Sequence, residues 1–352
     1  MTGPDTELPD ASTPRTCGRP VVLVGLAIVL AGVAGFRLSV GNSFGWPDGS
    51  LLEAIGRLLG VAGGDRLAVM DLRLYRLVLA IVVGVALSSS GVALQGLLRN
   101  PLAEPFILGL STGAAVGVMG QALLETWTQF AWGPDYLGAL IGAVASAGIV
   151  WMAGRRRGWI EPLALLLAGV VLSTVNGAIV MLMNYLVGPG VLRDQLVQWM
   201  MGHLDEGVTT PVLASVAAVT LLGTAILFSR GRAMDVASFS DGEAQALGVD
   251  LGQLRATLFV VASALAAAAV VVAGPVAFVG LISPHVARLL VGPAHRTLVV
   301  ASALVGAALI VAADAASAGL DIAFCIGLVP IGIFTAAIGG PMFLVMLRSG
   351  KR

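Results

Sequence analysis

One pentapeptide in the sequence has the residue spacing of a hydrolase nucleophile. Gly109-Leu-Ser-Thr-Gly113 matches the Gly-x-Ser-x-Gly pattern, in which the serine stands on a sharp turn between a strand and a helix. Such a serine needs a histidine that takes its proton, whereas residues 100–105 form a turn with two prolines and an apolar stretch follows. We keep a membrane-embedded serine hydrolase at Ser111 as a remote alternative, and expect Ser111 and Thr112 to lie at a helix N-terminus.

Three titratable residues, His285, Arg288 and Asp314, lie near the ends of long apolar stretches. Charged residues inside a membrane commonly mark a proton or ion pathway, so the sequence leaves an ion-coupled secondary transporter open as an alternative. However, we expect no carboxylate at the centre of a span, and the sequence pairs no buried acid with a base. His285 follows Pro284 and is therefore expected to be a helix-start or packing residue rather than part of a proton relay.

The rarest residues exclude several classes of enzyme. Lys351 is the sole lysine, so the Walker A motif, which ends in Gly-Lys-Ser/Thr, is missing. Cys17 and Cys325 form no Cys-x-x-Cys pair, and the three histidines form no His-Glu-x-x-His motif. We therefore expect no ATPase site in this chain, no catalytic residue, no metal site and no cofactor.

The overall composition is too apolar for a soluble protein. Hydrophobic residues make up 57% of the 352 residues, charged residues make up 11%, and the mean hydropathy is +0.95. A soluble domain is about 25% charged, so these side chains could not cover a soluble surface. The formal net charge is zero, which gives no electrostatic reason to expect nucleic acid as a partner. The composition predicts a protein embedded in a lipid bilayer.

Apolar stretches long enough to cross a membrane recur along the chain. A transmembrane helix needs about 20 mostly apolar residues, which predicts spans at 21–40, 74–98, 106–124, 136–153, 163–187, 209–228, 254–273, 276–291, 298–315 and 328–347. Residues 192–202 are too few to cross and are expected to form an interfacial helix. The predicted fold class is all-α, a polytopic membrane protein with about ten transmembrane helices.

The positive charges predict the orientation in the membrane. With the N-terminus inside, 14 of the 20 Lys and Arg residues fall on the cytoplasmic side. Because cytoplasmic loops hold the excess of positive charge, both termini are expected to be cytoplasmic. The domains are then an N-terminal tail (1–20), a single transmembrane domain (21–348) and a C-terminal tail (349–352). The outer arginines, which are expected to be exposed, are Arg37, Arg57, Arg66, Arg73, Arg76 and Arg193.

The longest predicted cytoplasmic segment is 229–253. Ser240 or Asp241 can cap a short helix within it, and Gly248 can end that helix. The pattern alone leaves two interpretations equally open, a surface that contacts a partner and a solvated connector.

Two Gly-x-x-x-Gly pairs also occur, Gly113 with Gly117 and Gly138 with Gly142. Such pairs let helix backbones approach closely. We take them to predict a tightly packed bundle rather than a function.

Three longer stretches together resemble a known family of permeases. They are RLYR (73–76) followed by GVALQGLLRNPLAEP (91–105), then GPVAFVGLISPH (274–285), then PIGIFTAAIGGP (330–341). From about residue 20 to its end, the chain resembles the FecCD-type permeases of ABC importers for ferric siderophores, haem and cobalamin.

The resemblance implies a permease subunit of the bacterial cell membrane, and not an enzyme. Such permeases work as dimers of identical or different subunits, with two cytoplasmic ABC ATPase subunits and an extracytoplasmic substrate-binding protein. ATP binding closes the ATPases, which moves the coupling helices and switches the pathway between outward and inward openings. A ferric siderophore is the expected substrate because it is the most frequent in the family, and haem or cobalamin follow. No residue here encodes the ligand.

The resemblance further implies that Arg73 and Arg76 receive acidic residues of the binding protein. Arginine suits this role because its fixed fork of donors pairs with carboxylates, although one of the two could instead anchor at the outer lipid headgroups. The sequence departs from the family pattern at Ala318, where a third arginine is usual, at Tyr75 in place of proline, and at Leu328 in place of a common glutamate. These departures suggest a heterodimer in which another permease subunit supplies the missing charge.

The same resemblance assigns a gate and a coupling helix. The turn at Asn100-Pro101-Leu102 resembles the cytoplasmic gate of the family, with Asn100 and Leu102 as the narrowing side chains. The short helix within 229–253 falls where the family places its coupling helices, which favours ATPase docking over a solvated connector. The residues expected at that contact are Glu243, Ala244, Leu247 and Gly248.

Overall fold

A computed structural model describes residues 18–40, 66–156, 159–187, 199–204, 207–325 and 327–349. Within these ranges the regular structure is helical except for one short antiparallel pair, strands β1 (Arg155–Arg156) and β2 (Trp159–Ile160). The helical class predicted from the sequence is therefore confirmed for the part of the chain that is described.

Eleven α-helices follow one another along the described ranges. They are α1 (Arg19–Ser39), α2 (Arg66–Leu98), α3 (Leu110–Thr128), α4 (Asp135–Gly154), α5 (Pro162–Val187), α6 (Thr210–Ala237), α7 (Asp241–Ala246), α8 (Leu251–Ala273), α9 (Val279–Val291), α10 (His295–Phe324) and α11 (Ile331–Ser349). A 3₁₀ turn, Pro105–Leu108, precedes α3. Ten of these helices coincide with the ten predicted spans, and the remaining helix, α7, is the predicted short capped helix.

Seven of the described helices are long and apolar enough to cross a membrane: α1, α2, α4, α5, α6, α8 and α10. Two more, α9 and the apolar part of α11, are shorter, and α3 is not among the seven although it has 19 residues. The protein is therefore a multi-pass membrane protein, while the count of ten spans and the cytoplasmic termini stay predictions.

Several predictions fall outside the described residues. Residues 192–198 of the predicted interfacial helix (192–202) lie outside the described ranges, and so does most of both predicted tails. Among the six predicted outer arginines, Arg57 and Arg193 also lie outside them.

Three helices form the centre of the bundle. Buried residues make up 78% of the most apolar window of α2, 72% of that of α8 and 67% of that of α10, against 11% for α1 and 22% for α5. Helix α2 packs against both α8 and α10. Because α1 and α5 leave most of their apolar surface uncovered, they lie at the periphery, where lipid or another protein can cover them.

The glycine pairs join α3 to α4. A Cβ atom added to Gly117 would lie 1.9 Å from the carbonyl oxygen of Gly138, and one added to Gly142 would lie 2.0 Å from that of Gly113. No side chain larger than hydrogen fits at these distances, so the two backbones are in direct contact. The prediction of close helix packing is confirmed.

Several helices extend beyond the apolar spans predicted from hydropathy. Helix α6 continues to Ala237, so part of the predicted extramembrane segment 229–253 is helical and the connection between α6 and α8 is 238–250. Helix α10 continues to Phe324, nine residues past the predicted end at 315. Hydropathy reports only the apolar part of a helix, whereas arginine and alanine are good helix formers that extend it further.

Candidate functional site

A carboxylate and two arginines meet inside the bundle at the C-terminal end of α1. The Nε atom of Arg37 lies 2.5 Å from Oδ2 of Asp314, and the Nε atom of Arg76 lies 2.7 Å from Oδ1 of the same carboxylate. Asp314 is fully buried and the Arg76 side chain is 2% exposed. A buried charge is tolerated only when it is paired and hydrogen-bonded, so this triad fixes α1, α2 and α10 relative to one another.

The triad corrects two expectations about charge. The sequence placed Asp314 near a span end and paired no buried acid with a base, but α10 runs well past Asp314 and the carboxylate is held by two arginines. The expectation that the outer arginines are exposed is also wrong for Arg37, Arg73 and Arg76, which are all buried.

Arg73 and Arg76 also bind backbone carbonyl groups. Arg73 donates from Nη1 to the carbonyl oxygen of Leu38 at 3.2 Å, and Arg76 donates from Nη1 to that of Leu204 at 3.5 Å. Between them, the hydroxyl of Tyr75 donates to the carbonyl oxygen of Val208. Both guanidinium groups therefore contribute to the packing of this chain, and their role in docking a binding protein stays a prediction.

Sequence reasoning named Arg37 only for orientation and missed its pairing. It lies in the last turn of α1, 277 residues before Asp314, and no local pattern links the two. Ala318, the position of the missing family arginine, is buried one helical turn after Asp314. In this chain Arg37, in addition to Arg73 and Arg76, thus places an arginine at Asp314, close to position 318, where the family pattern has an arginine and this sequence has alanine.

The predicted gate turn begins where α2 ends. Arg99 adopts a left-handed conformation with φ +48°, which stops the helix. The side-chain oxygen of Asn100 accepts a hydrogen bond from the backbone N–H of Leu102 at 3.0 Å, and the carbonyl oxygen of Asn100 accepts one from Ala103 at 3.1 Å. Asn100 therefore stabilises the turn through its own side chain. Its role as a gate, with Leu102, stays a prediction.

Glu104 is a half-buried acid behind this turn that sequence reasoning missed. Its Oε2 accepts a hydrogen bond at 3.0 Å from the backbone N–H of Phe278, the residue that precedes α9. Burial raises the pKa of the Glu104 carboxyl, and the hydrogen bond from Phe278 opposes that rise. The contact holds the gate turn against the start of α9. The position of Glu104 between prolines at 101 and 105 was the available signal.

Helix α7 is capped at both ends as predicted. The side chain of Ser240 accepts a hydrogen bond from the N–H of Glu243, and Glu243 bonds back to the N–H of Ser240, which completes a capping box. Hydrogen bonds from Ser240 lower the pKa of the Glu243 carboxyl. At the other end, Gly248 has φ +82°, and the N–H groups of Gly248 and Val249 bond back to the last turn.

One face of α7 packs on the protein and its far end projects outward. Ala244 is fully buried, whereas Leu247 is 66% exposed and Glu243 is exposed. An exposed leucine at the tip of a rigid helix is suited to a pocket on another protein. The assignment of Glu243, Ala244, Leu247 and Gly248 to ATPase coupling stays a prediction.

The gate turn and α7 are joined by charges. Nη2 of Arg99 lies 2.5 Å from Oδ1 of Asp241, the first residue of α7, and Nη2 of Arg255 on α8 lies 2.9 Å from each Asp241 oxygen. Slight burial raises the pKa of the Asp241 carboxyl, but the hydrogen bonds and charges of Arg255 and Arg99 outweigh this effect, so the pKa is lowered.

A cavity of about 540 Å³ opens beside the gate turn, between the end of α6 and the start of α10. His295 and Asp235 form one wall, with Nδ1 and Oδ1 2.7 Å apart, and Nη2 of Arg288 donates to Oε1 of Gln95 at 2.9 Å in another. His285 is the seventh residue of α9. The expectation that it stands at a helix start is therefore wrong, because Pro284 is accommodated inside the helix.

Ser111 does not have the surroundings of a nucleophile. It is the second residue of α3, it is buried, and the 3₁₀ turn that precedes it replaces the strand of a nucleophile elbow. Among the described residues, those lining the cavity of about 300 Å³ at Ser111 include no histidine and no carboxylate. The expected position at a helix start is confirmed, although Gly109 is the N-cap and Thr112 bonds back to its carbonyl oxygen at 3.0 Å.

Known proteins match this chain along most of its length. A family model described as the FecCD transport family matches residues 27–349. The cobalamin import system permease protein of Halobacterium salinarum is 37% identical over 309 residues, which cover 88% of this chain and 81% of that protein. The hemin transport system permease protein of Yersinia pestis is 36% identical over 281 residues, which cover 79% and 82%.

The fold also matches a solved structure. An ABC transporter assigned to the metal-chelate type, in an inward-facing conformation, superposes with a TM-score of 0.78 at 29% identity, covering 94% of this chain and 99% of that one.

Proposed function

The chain belongs to the FecCD transport family, and from this membership we propose that it is the permease subunit of an ATP-driven ABC importer. It moves a metal chelate, delivered by an extracytoplasmic binding protein, into the cytoplasm. It works in the bacterial cell membrane with a second permease subunit and two cytoplasmic ATPase subunits.

The observation that carries this proposal is the arrangement of charged groups along α2. Within this buried helix, Arg76 joins the triad with Arg37 and Asp314. Past the last residue of the helix the chain enters the gate turn, against which α7 lies. An importer driven by partner proteins needs a surface that receives the binding protein, a gate that closes the pathway on the cytoplasmic side, and an element that contacts the ATPase. The sole lysine, Lys351, leaves no Walker A motif, so the energy source is another chain.

A second permease subunit is supported by the uncovered apolar faces. Helix α5 exposes large apolar side chains along its length, among them Leu163, Leu167, Val171, Met181, Leu182 and Tyr185. A pathway for a bulky chelate needs walls from more than one such bundle, and α5 is suited to pack against a partner subunit or lipid. Because Arg37 already provides an arginine near Ala318, the departure that still favours a non-identical partner is the missing glutamate at Leu328.

The substrate we propose is a ferric siderophore, with haem and cobalamin as the next candidates. The relatives named above are a cobalamin permease and a hemin permease, and the solved neighbour is of a metal-chelate type. These cargoes share a metal ion enclosed in a large organic ligand. The cavity at Ser111, about 300 Å³ in volume and mostly apolar, supplies no charge that would select among them.

Reconstitution tests both the class and the cargo. The permease is placed in proteoliposomes with its cognate ATPase and binding protein, and uptake of ferrichrome, haem and cyanocobalamin is measured with and without ATP. We expect ATP-dependent uptake of ferrichrome that an ionophore does not abolish. Uptake that needs an ion gradient and ignores ATP would favour the secondary transporter, while ATP-driven uptake of haem or cyanocobalamin alone would replace the siderophore.

A further inference from the structure

We propose that the ion pair between Arg99 and Asp241 links the coupling helix mechanically to the gate, so that a displacement of α7 moves the gate turn directly. Arg99 and Asp241 are then positioning residues, which act through Asn100 and Leu102 rather than on the substrate. This inference rests on the proposed function, because it presumes that α7 receives the ATPase and that the turn closes the pathway.

Arg99 joins the gate turn to two neighbouring elements. Its Nη2 lies 2.5 Å from Oδ1 of Asp241, and its Nε donates to the carbonyl oxygen of Ala237, the last residue of α6, at 3.0 Å. Arg99 is also the residue that ends α2 and immediately precedes Asn100. Any force on its guanidinium group is therefore applied one residue from the gate.

Asp241 is equally well placed to transmit a movement. It is the first residue of α7, which the capping box of Ser240 and Glu243 and the turn at Gly248 make into a short rigid body. A contact at the exposed tip of α7 therefore displaces Asp241 together with the rest of the helix. Arg255 on α8 holds the same carboxylate at 2.9 Å, so Asp241 is shared between the gate turn and a buried helix.

The pair is better suited to act as a linkage than as a source of stability. The Arg99 and Asp241 side chains are 37% and 49% exposed, and exposed ion pairs contribute little to stability. A linkage needs only geometry, and the two bonds of Arg99 fix the guanidinium group between α6 and α7. Loss of the pair should thus change coupling while leaving the fold intact, which separates this role from a structural one.

The test is a double-mutant cycle in the complete reconstituted transporter. Arg99→Gln, Asp241→Asn and the double variant are compared with wild type for substrate transported per ATP hydrolysed. We expect each single variant to lower this ratio by up to about fivefold, the upper limit for one exposed charge pair. The double variant should be no worse than Asp241→Asn, because that substitution already removes the contact with Arg99 together with the one to Arg255. Arg99→Lys should recover part of the ratio.

Arg232→Gln is the matched control, since Arg232 is exposed on α6 and lies outside the Arg99–Asp241 contact. A second readout follows the movement itself, with spin labels at the exposed positions 101 and 242 and a non-hydrolysable ATP analogue. With Arg99 and Asp241 intact both labels should shift, whereas in Asp241→Asn the label at 242 should shift and the one at 101 should stay. If Asp241→Asn does not assemble with the ATPase, the same labels are measured in Arg99→Gln, in which the label on α7 should shift and the label in the gate turn should stay.

The outcomes distinguish this inference from the proposed function. Variants that transport with the wild-type ratio, or single effects that add in the double variant, would overturn the linkage while leaving the importer in place. A wild-type protein without ATP-driven transport would instead remove the proposed function.

Discussion

Replacing Asp314 by asparagine removes the carboxylate on which Arg37 and Arg76 converge. Asparagine has nearly the same volume, so the substitution tests the charge without opening a cavity. Both guanidinium groups would keep their burial, with side chains 6% and 2% exposed, but lose the anion 2.5 Å and 2.7 Å away. The energetic consequence is therefore that of uncompensated buried charge.

The expected magnitude follows from that burial. Removing one partner of a buried ion pair costs about 3–5 kcal/mol, out of the roughly 5–15 kcal/mol that stabilises a typical folded protein. At about 2 °C for each kcal/mol in a chain of this size, the unfolding midpoint should fall by roughly 6–10 °C.

The assay is thermal unfolding of the detergent-solubilised permease, followed by tryptophan fluorescence at one fixed scan rate. Asp250→Asn is the matched control, because Asp250 caps α8 by accepting from the N–H of Gln253 at 3.0 Å and asparagine caps a helix about as well. We expect less than about 0.5 kcal/mol from the control. An Asp314→Asn variant that loses no more than Asp250→Asn would falsify the reasoning from burial.

Three further predictions concern other parts of the molecule. Leu247→Asp should leave the melting temperature unchanged, since the side chain is 66% exposed, but abolish stimulation of the ATPase by the permease; normal stimulation would place the contact elsewhere. Gly117→Ala should lower the free energy of unfolding by about 1–3 kcal/mol through overpacking. The control Gly148→Ala has open space around the added Cβ and should raise it by up to about 1 kcal/mol. Equal melting temperatures of the two variants would contradict the close approach of α3 and α4. Glu104→Gln should gain stability relative to wild type as the pH rises, because burial raises the pKa of Glu104 and the cost of ionising it in the folded state grows from about pH 4.3 upwards. The glutamine amide of this variant keeps an oxygen for the N–H of Phe278, and a stability difference independent of pH would show that the carboxyl ionises without cost.

Local features of this fold were readable from the sequence because they depend on neighbouring residues. Ser240 and Gly248 end α7 by hydrogen bonds within a few residues, and the glycine pair at 113 and 117 presents one helix face. The ten apolar stretches likewise marked ten helices. Hydropathy did not predict how far α6 and α10 continue, because it measures the membrane-compatible part of a helix and not the length of its hydrogen-bonded backbone.

Pairings between distant segments were not readable. Arg37 and Asp314 are 277 residues apart, and Asp241 meets Arg99 across more than 140 residues. With one sequence, an arginine near an apolar stretch is equally compatible with a lipid headgroup, a partner protein or a buried acid. Only the packing of α1, α2 and α10 decides that the outer arginines turn inward, and that packing is set by many side chains at once.

The two charged groups lie far apart along one buried helix: Arg76 is ten residues past the start of α2, and Arg99 directly follows its last residue. Arg76 and Arg99 are 23 residues apart, which corresponds to roughly 35 Å along an α-helix, slightly more than the hydrocarbon core of about 30 Å. Arg76 is paired with Asp314, and Arg99 is paired with Asp241. Ion pairs hold α2 at Arg76 and the chain directly after it at Arg99. A shift of the gate turn would therefore also strain the contact between Arg76 and Asp314. Docking events outside and ATPase movements inside would therefore act on the same element, and variants at Asp314 and Asp241 should be coupled in transport although they lie too far apart to interact directly.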